Sequence, residues 1–326
     1  MVDRRTFLKG AATGASFSQV SSTAGLAGAA GSAALAFSSQ AIAHPADVHR
    51  FSFGEFEVMV LSDGAINLPV SVLTENMDAE KAKAFLAENG QPTDIRPGAV
   101  NVVMLKRGDE VMMMDVGSGM NFLETAGRLD ESLDMADIDR DAVTNVVITH
   151  AHPDHIWGII DDFEEAPRFG NADYTISATE FDFWMADGRV EQLPDSLKPF
   201  ALGAQRNLSP VAERTTMAQD NHEVAPGVTM IATPGHTPGH MSVLIESEGK
   251  QLLITGDTFT HDLIAFQKPD WHFGLDMDHA QAAETRVQLL KRIVADDIAL
   301  IGYHLTWPGV GHVEEKDSGY RYVAGL

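Results

Sequence analysis

The chain has 326 residues, 44% of them hydrophobic, enough for a large core in one domain or two. Asp and Glu number 47 against 23 Lys and Arg, and the formal charge of −24 disfavours nucleic acid and anionic membrane as partners. There is no cysteine, so disulfides and thiolate metal sites are excluded in any compartment.

Arg4 and Arg5 precede Phe7, Leu8 and Lys9, and a weakly apolar stretch rich in Ala, Gly and Ser follows to Ala41 and Ala43. Paired arginines, a soft apolar region and small residues before the break read as a twin-arginine export signal over residues 1–43. The serines, glycines, Gln19 and Gln40 in it argue against a stable membrane span. Residues 44–326 are then the mature domain, periplasmic or secreted and free of the membrane. Loss of Arg4, Arg5, Lys9 and Asp3 takes its charge to −26.

Phe51 to Gly64, "FSFGEFEVMVLSDG", alternates like a half-buried strand that stops at a turn. Asp78 to Gly90 has helical spacing, with Gly90 as its cap. "VNVVMLKRGDEVMMMDVGSG" and, later, "MSVLIESEGKQLLITGDT" each read as strand, glycine turn, strand, then an Asp beside a Gly. The pair suggests a duplication: two β-rich halves, each followed by helices. Ala178 to Asn207 is helical with a heavy aromatic load, and Asp278 to Val294 is an amphipathic helix. The alternation, without a dividing linker, predicts one α/β domain of layered sheets with helices on the outer faces.

The chemistry is concentrated in "TNVVITHAHPDHIWG", where the apolar run Val146–Ile148 ends in His150, His152, Asp154 and His155. A single histidine at a strand end is usually structural. Three with an aspartate, spaced His-x-His-x-Asp-His, can aim imidazoles and a carboxylate at two neighbouring points. Those are the donors that zinc and similar divalent ions prefer. Further donors end other apolar strands: His236 in "ATPGHTPGH", Asp257 in "LLITGDT" and His304 in "IALIGYHLTWPG". Strand ends along one sheet edge can converge on a dinuclear centre.

With "HAHPDH", "PGHTPGH", "TGD" and "GYH" in place, the chain resembles the metallo-β-lactamase superfamily from Phe51 to its C-terminus. The resemblance implies an αββα sandwich with two divalent ions, zinc first, with manganese, cobalt or iron as alternatives. It implies His150, His152 and His236 on one ion, Asp154, His155 and His304 on the other, and Asp257 bridging. Asp154 and Asp257 would be the catalytic carboxylates, and Asp115 a structural one. His240 and His312 read as structural, His44, His49 and His222 as surface, and His261 and His272 stay open as pocket residues.

Within the superfamily, the lack of cysteine sets aside one lactamase branch, and His152 stands where the di-iron redox branch has glutamate. The chain is more closely similar to methyl parathion hydrolase and acyl-homoserine lactonase-like exported hydrolases. The text that carries this is "FEVMVLSDGAINLPV", "DVGSGMNFLETAGRL" and "HLTWPGVGHV…GYRYV". That likeness places Phe122, Trp184 and Phe200 on a leaving-group pocket, with core packing as the alternative, and it is compatible with a homodimer. It implies cleavage of small neutral esters, lactones or aryl phosphotriesters by a hydroxide shared between two ions. Acyl-homoserine lactonase activity is the alternative reading, and a metal-binding protein without turnover is the rival class. Thr260 stands where some lactonases of the superfamily carry a substrate-facing tyrosine.

Overall fold

The structure is a computed structural model that describes residues 45–316 and 319–326. The expected export signal over residues 1–43 lies outside the described residues. The segment read as one half-buried strand is instead a hairpin. Gly54, at φ +55°, turns the chain between β1 (Val48–Phe53) and β2 (Phe56–Pro69). A bulge between Ser62 and Ala65 lets β2 run on past Gly64. Nor is β2 half-buried: Val58 and Val60 face one apolar layer, Met59 and Leu61 another. Alternation disappears because this sheet is covered on both faces.

β2 pairs with β3 (Ile95–Arg107), which turns at Gly108 into β4 (Glu110–Met114), and β5 (Asn145–Ile148) adds parallel to β4. A short ribbon of β6 (Ile160–Asp161) and β7 (Ala166–Pro167) intervenes. β8 (Asp173–Ser177) and β9 (Thr215–Ala218) then complete a seven-stranded sheet ordered β1-β2-β3-β4-β5-β8-β9. The second sheet has β10 (His222–Ala225), β11 (Val228–Ala232), β12 (Met241–Ser247), β13 (Lys250–Ile254), β14 (Ala299–Ile301), β15 (Val310–Lys316) and β16 (Gly319–Ala324), side by side in chain order. The two halves repeat one topology: β3–β4 and β12–β13 are antiparallel hairpins, each followed by a parallel strand, β5 or β14.

The sheets pack face to face through Val58, Val103, Met112 and Val147 from the first and Met230, Val243, Leu252 and Ile301 from the second. Helices cover the outer faces, so the expected αββα sandwich is the observed fold. In chain order they are α1 (Val70–Leu73), α2 (Ala79–Glu88), α3 (Leu129–Ala136), α4 (Pro153–Ile156), α5 (Ala178–Met185), α6 (Arg189–Gln192), α7 (Lys198–Leu208), α8 (Ile264–Gln267) and α9 (His279–Ala295). Asp78 caps α2 by accepting from the Lys81 amide, and Gly90, at φ +69°, follows its end. The aromatic-rich stretch from Ala178 breaks into α5, α6 and α7, with Gly188 at φ +71° marking the first break. α1 and α2 pack with Ile264, Trp271 and Phe273 as a separate apolar cluster. No described helix is long and apolar enough to cross a membrane.

One buried carboxylate prepares the floor of the site. Asp63, on the β2 bulge, accepts from the amides of Ser118 (2.7 Å), Leu129 (2.8 Å) and Gly127 (3.3 Å). Burial pushes its carboxyl up to about 6 against the pull of those donors. The loop from Asp115 to Gly119 is thereby pinned where β4 and β5 end.

Candidate metal centre

Four strands, β5 in the first sheet and the mutually parallel β11, β13 and β14 in the second, each end just before a motif carrying His or Asp. β5 leads into His150 and His152, after which Pro153 starts α4 and sets Asp154 and His155 on its first turn. β11, β13 and β14 lead to His236, Asp257 and His304. All seven side chains are buried, His304 being the most open at 7% exposure.

They gather into three overlapping groups, with donor atoms in each within 4.8 Å of one another: His150, His152 and His236; Asp154, His155 and His304; and His150, His155 and Asp257. Asp257 lies between the first two groups. Its Oδ1 is 3.1 Å from His155 Nε2, and its Oδ2 is 3.3 Å from His236 Nε2 and 3.2 Å from His304 Nε2. Asp154 Oδ2 lies 3.2 Å from His304 Nε2 and 3.4 Å from His155 Nε2.

Hydrogen bonds turn these donors inward. His155 Nδ1 is 2.8 Å from Asp115 Oδ2, and Asp115 also accepts from the Thr149 amide and hydroxyl, both at 2.8 Å. His236 Nδ1 is 3.0 Å from Asp276 Oδ1, itself braced by Arg286 at 2.9 Å. His304 Nδ1 donates to the Ala99 carbonyl at 2.8 Å. Each leaves Nε2 facing the centre, the arrangement by which outer partners fix a ligand's tautomer. Asp115 therefore orients a donor, as expected of it. His240 does likewise for Asp257, accepting its backbone amide at Nε2, 3.0 Å away, while Nδ1 meets the Thr233 carbonyl.

The charges divide unevenly. Burial, reinforced by neighbouring histidines, holds His150 and His152 well below the usual imidazole range, and burial takes His240 down to about 3. Burial acts the same way on His155 and His304, but carboxylates override it. Asp154, Asp257 and Asp115 raise His155 well above its ordinary value, and Asp257 with Asp154 carries His304 up to about 10. Burial would raise Asp154 and Asp257, yet His155 and His304 hold both well below the carboxylate range.

This donor set fits divalent cations. His150 Nε2, His152 Nε2, His155 Nε2, Asp154 Oδ2 and Asp257 Oδ1 are buried without a well-aligned hydrogen bond. His152 Nδ1 and His236 Nε2 face each other at 2.9 Å. Whichever tautomer His152 takes, one buried nitrogen stays unsatisfied, at a cost of about 1–3 kcal/mol for each such group. Cations in the two groups would remove the deficit.

Beside the centre lies a narrow cleft walled by Ile66, Leu68, Leu73, Phe122, Phe200, Phe273 and Leu275, with Arg96 and Thr260. Phe122 and Phe200 line it. Trp184 does not: it is fully buried behind His152, ring centroids 6.0 Å apart, and its indole donates to Glu180 at 2.7 Å. Its bulk packs into the core because α5 turns that face toward the sheet. His261 and His272 are not among the wall residues: His261 Nδ1 accepts the Leu263 amide at 3.0 Å, and His272 stacks on His279 at 5.0 Å. Arg96 spends its guanidinium on the Thr260 and His304 carbonyls and on Asp262.

Sequence reasoning did not single out Asp276, Glu180, Arg96 or Asp262. None sits in a motif, and each acts through a partner far away in the chain. The one available signal was type, since Asp, Glu and Arg are seldom buried unless paired.

The Metallo-beta-lactamase superfamily model matches residues 95–304. Over 178 residues the chain is 27% identical to an N-acyl homoserine lactonase of Bacillus cereus, covering 54% of this chain and 58% of that protein. The chain thus spans little more than half of that relative. Among solved structures, AidC, a dizinc quorum-quenching lactonase in complex with a product N-hexanoyl-L-homoserine, superimposes with a TM-score of 0.80 at 27% identity, over 86% of this chain and 98% of that one. The hydrolase AbOPH, of the beta lactamase superfamily, gives a TM-score of 0.80 at 22% identity over 87% of this chain and 99% of that one, a likeness of fold. With the family's motifs gathered at one edge of the family's fold, the chain belongs to the metallo-beta-lactamase superfamily.

Proposed function

We propose that the protein is a dinuclear metallohydrolase of neutral ester bonds, and that N-acyl homoserine lactones are its substrate class. The observation that carries this reading is an apolar cleft that ends on the seven-residue donor cluster. Bound there, two divalent ions, zinc by donor chemistry, would supply Lewis acidity and an activated water at neutral pH. His150, His152 and His236 would hold the first ion and Asp154, His155 and His304 the second, with Asp257 lying within reach of donors from both groups.

The chain's own residues do the rest. Ile66, Leu68, Phe273 and the other apolar walls receive an acyl chain and exclude water, which strengthens every charge interaction at the reacting centre. The Tyr303 hydroxyl is committed to the Asp154 carbonyl at 2.7 Å, and Thr260 holds the wall position noted above. Orientation of the ester therefore falls to shape and to the ions. Asp257 is held as a carboxylate by His304, His155 and His236, so the proton for the departing oxygen comes from solvent. The lactonase named among the relatives and the AidC likeness support the lactone reading.

A second reading, aryl phosphotriester hydrolysis, is favoured by Phe122 and Phe200 on the cleft wall, which suit an aromatic leaving group. The test compares kcat/KM of metal-reconstituted protein on a long-chain acyl-homoserine lactone and on a dimethyl aryl phosphotriester. The lactone is expected to win by a hundredfold or more, about 3 kcal/mol of transition-state preference. Parity, or a phosphotriester preference, would overturn the lactone assignment. Export through residues 1–43 belongs to the same proposal. Mature protein recovered outside the cytoplasm is expected to begin near His44, and an uncleaved cytoplasmic chain would refute it.

A further inference from the structure

We infer that Glu180 is a positioning residue that sets the spacing of the first donor group by fastening its two loops together. The inference rests on the metal reading above. Glu180 lies on α5, fully buried beneath both histidine loops. Its Oε1 accepts from the Ala151 amide at 2.9 Å, between His150 and His152, and from the Trp184 indole at 2.7 Å. Its Oε2 accepts from the Thr237 hydroxyl at 2.7 Å and the Gly239 amide at 2.9 Å, just beyond His236. One carboxylate thus joins the loop after β5, in the first sheet, to the loop after β11, in the second.

The fit is close. A Cβ on Gly239 would come 2.2 Å from the Glu180 amide nitrogen, so that loop rests directly on the start of α5. All four hydrogen-bond partners are neutral donors, and each oxygen takes two of them. A buried carboxylate held only by neutral groups is costly. A cation in the adjacent donor group offsets that cost, which gives Glu180 an electrostatic as well as a geometric tie to the first ion.

The second donor group has separate supports. Asp154, His155 and His304 are braced by Tyr303, Asp115 and the Ala99 carbonyl. Loosening Glu180 therefore weakens one ion and spares the other. A residue that merely stabilised the fold would affect both.

The experiment measures Co2+ affinity of the full chain by competition with a chromophoric chelator, alongside the visible Co2+ spectrum. It uses two backgrounds: His304→Ala, which keeps the first group, and His236→Ala, which keeps the second. Glu180→Gln preserves shape but turns an amide NH2 toward two donors. It is expected to weaken Co2+ by about 10–100-fold in the His304→Ala background and to change its spectrum. In the His236→Ala background the change is expected to stay within about threefold. Equal weakening in both backgrounds, or none in either, overturns the inference. Thr237→Val removes a single donor and decides the question on the same criterion, with a smaller loss, should the Gln variant fail to fold. Absence of Co2+ binding by the parent protein would instead sink the metal reading itself.

Discussion

Asp257→Ala is expected to lower kcat/KM by about a thousandfold or more, equivalent to about 4 kcal/mol of transition-state stabilisation. It is also expected to leave the protein with fewer than two bound divalent ions. Among the described residues, Asp257 is the one carboxylate within 3.3 Å of donors from both groups: His155 and His304 on one side, His236 on the other. Truncation removes a donor from both ions and leaves their charges closer to direct repulsion. The backbone survives the change, because the Asp257 amide, not its side chain, bonds to His240. Kinetics on the lactone, with metal content from elemental analysis of the same sample, is the check. Full activity with two ions bound would show that Asp257 bridges nothing.

Stripping the protein with a chelator is expected to abolish turnover, by more than about a thousandfold, and to expose a pH dependence that differs between the two groups. In the metal-free protein His155 and His304 are protonated at neutral pH, since their carboxylate neighbours raise both, His304 to about 10. A histidine raised above its unfolded value of about 6.5 stabilises the fold fully below that pH. For His304 this contribution is lost as pH climbs through about 10. Asp154 and Asp257 are depressed, so their contribution is present above the unfolded carboxylate value of about 3.9 and is lost on acidification through their folded values.

Metal must displace the protons on His155 and His304, whereas His150 and His152 are already neutral. Zinc returning to the second group at pH 7 is therefore expected to release protons, one from each imidazolium. Its affinity rises with pH up to the range where His304 titrates, while the first group responds less. Titration in weakly buffered dye reads this directly. Equal proton release for both ions would contradict the charge assignment.

The donors were legible in the sequence because each closes a short apolar strand, and a strand end followed by His or Asp is a local pattern. The paired hairpins ending near Asp115 and Asp257 were legible for the same reason, as were the helices begun by Asp78 and Asp278. Burial on both faces of β2 was not. The alternation from Phe51 to Glu57 points to one covered face, but it breaks at Val58, Met59, Val60 and Leu61, four consecutive apolar residues that face two apolar layers. Trp184 was assigned to the cleft by resemblance, yet the helix phase of α5 sends it to Glu180. Glu180 was invisible because Ala151 and Gly239 follow strands of different sheets and meet only once the sheets have docked, and Asp276 because it stands in no motif and braces a histidine 40 residues away.

β14 is only three residues long, Ala299–Ile301, and it delivers Tyr303 and His304 near the end of the chain. A nascent chain that has built only the first sheet already carries His150, His152, Asp154 and His155, but has neither Asp257 to join the two groups nor His304 to close the second. Full occupancy of the centre is thus a certificate of assembly, issued only when β14 has been laid beside β13.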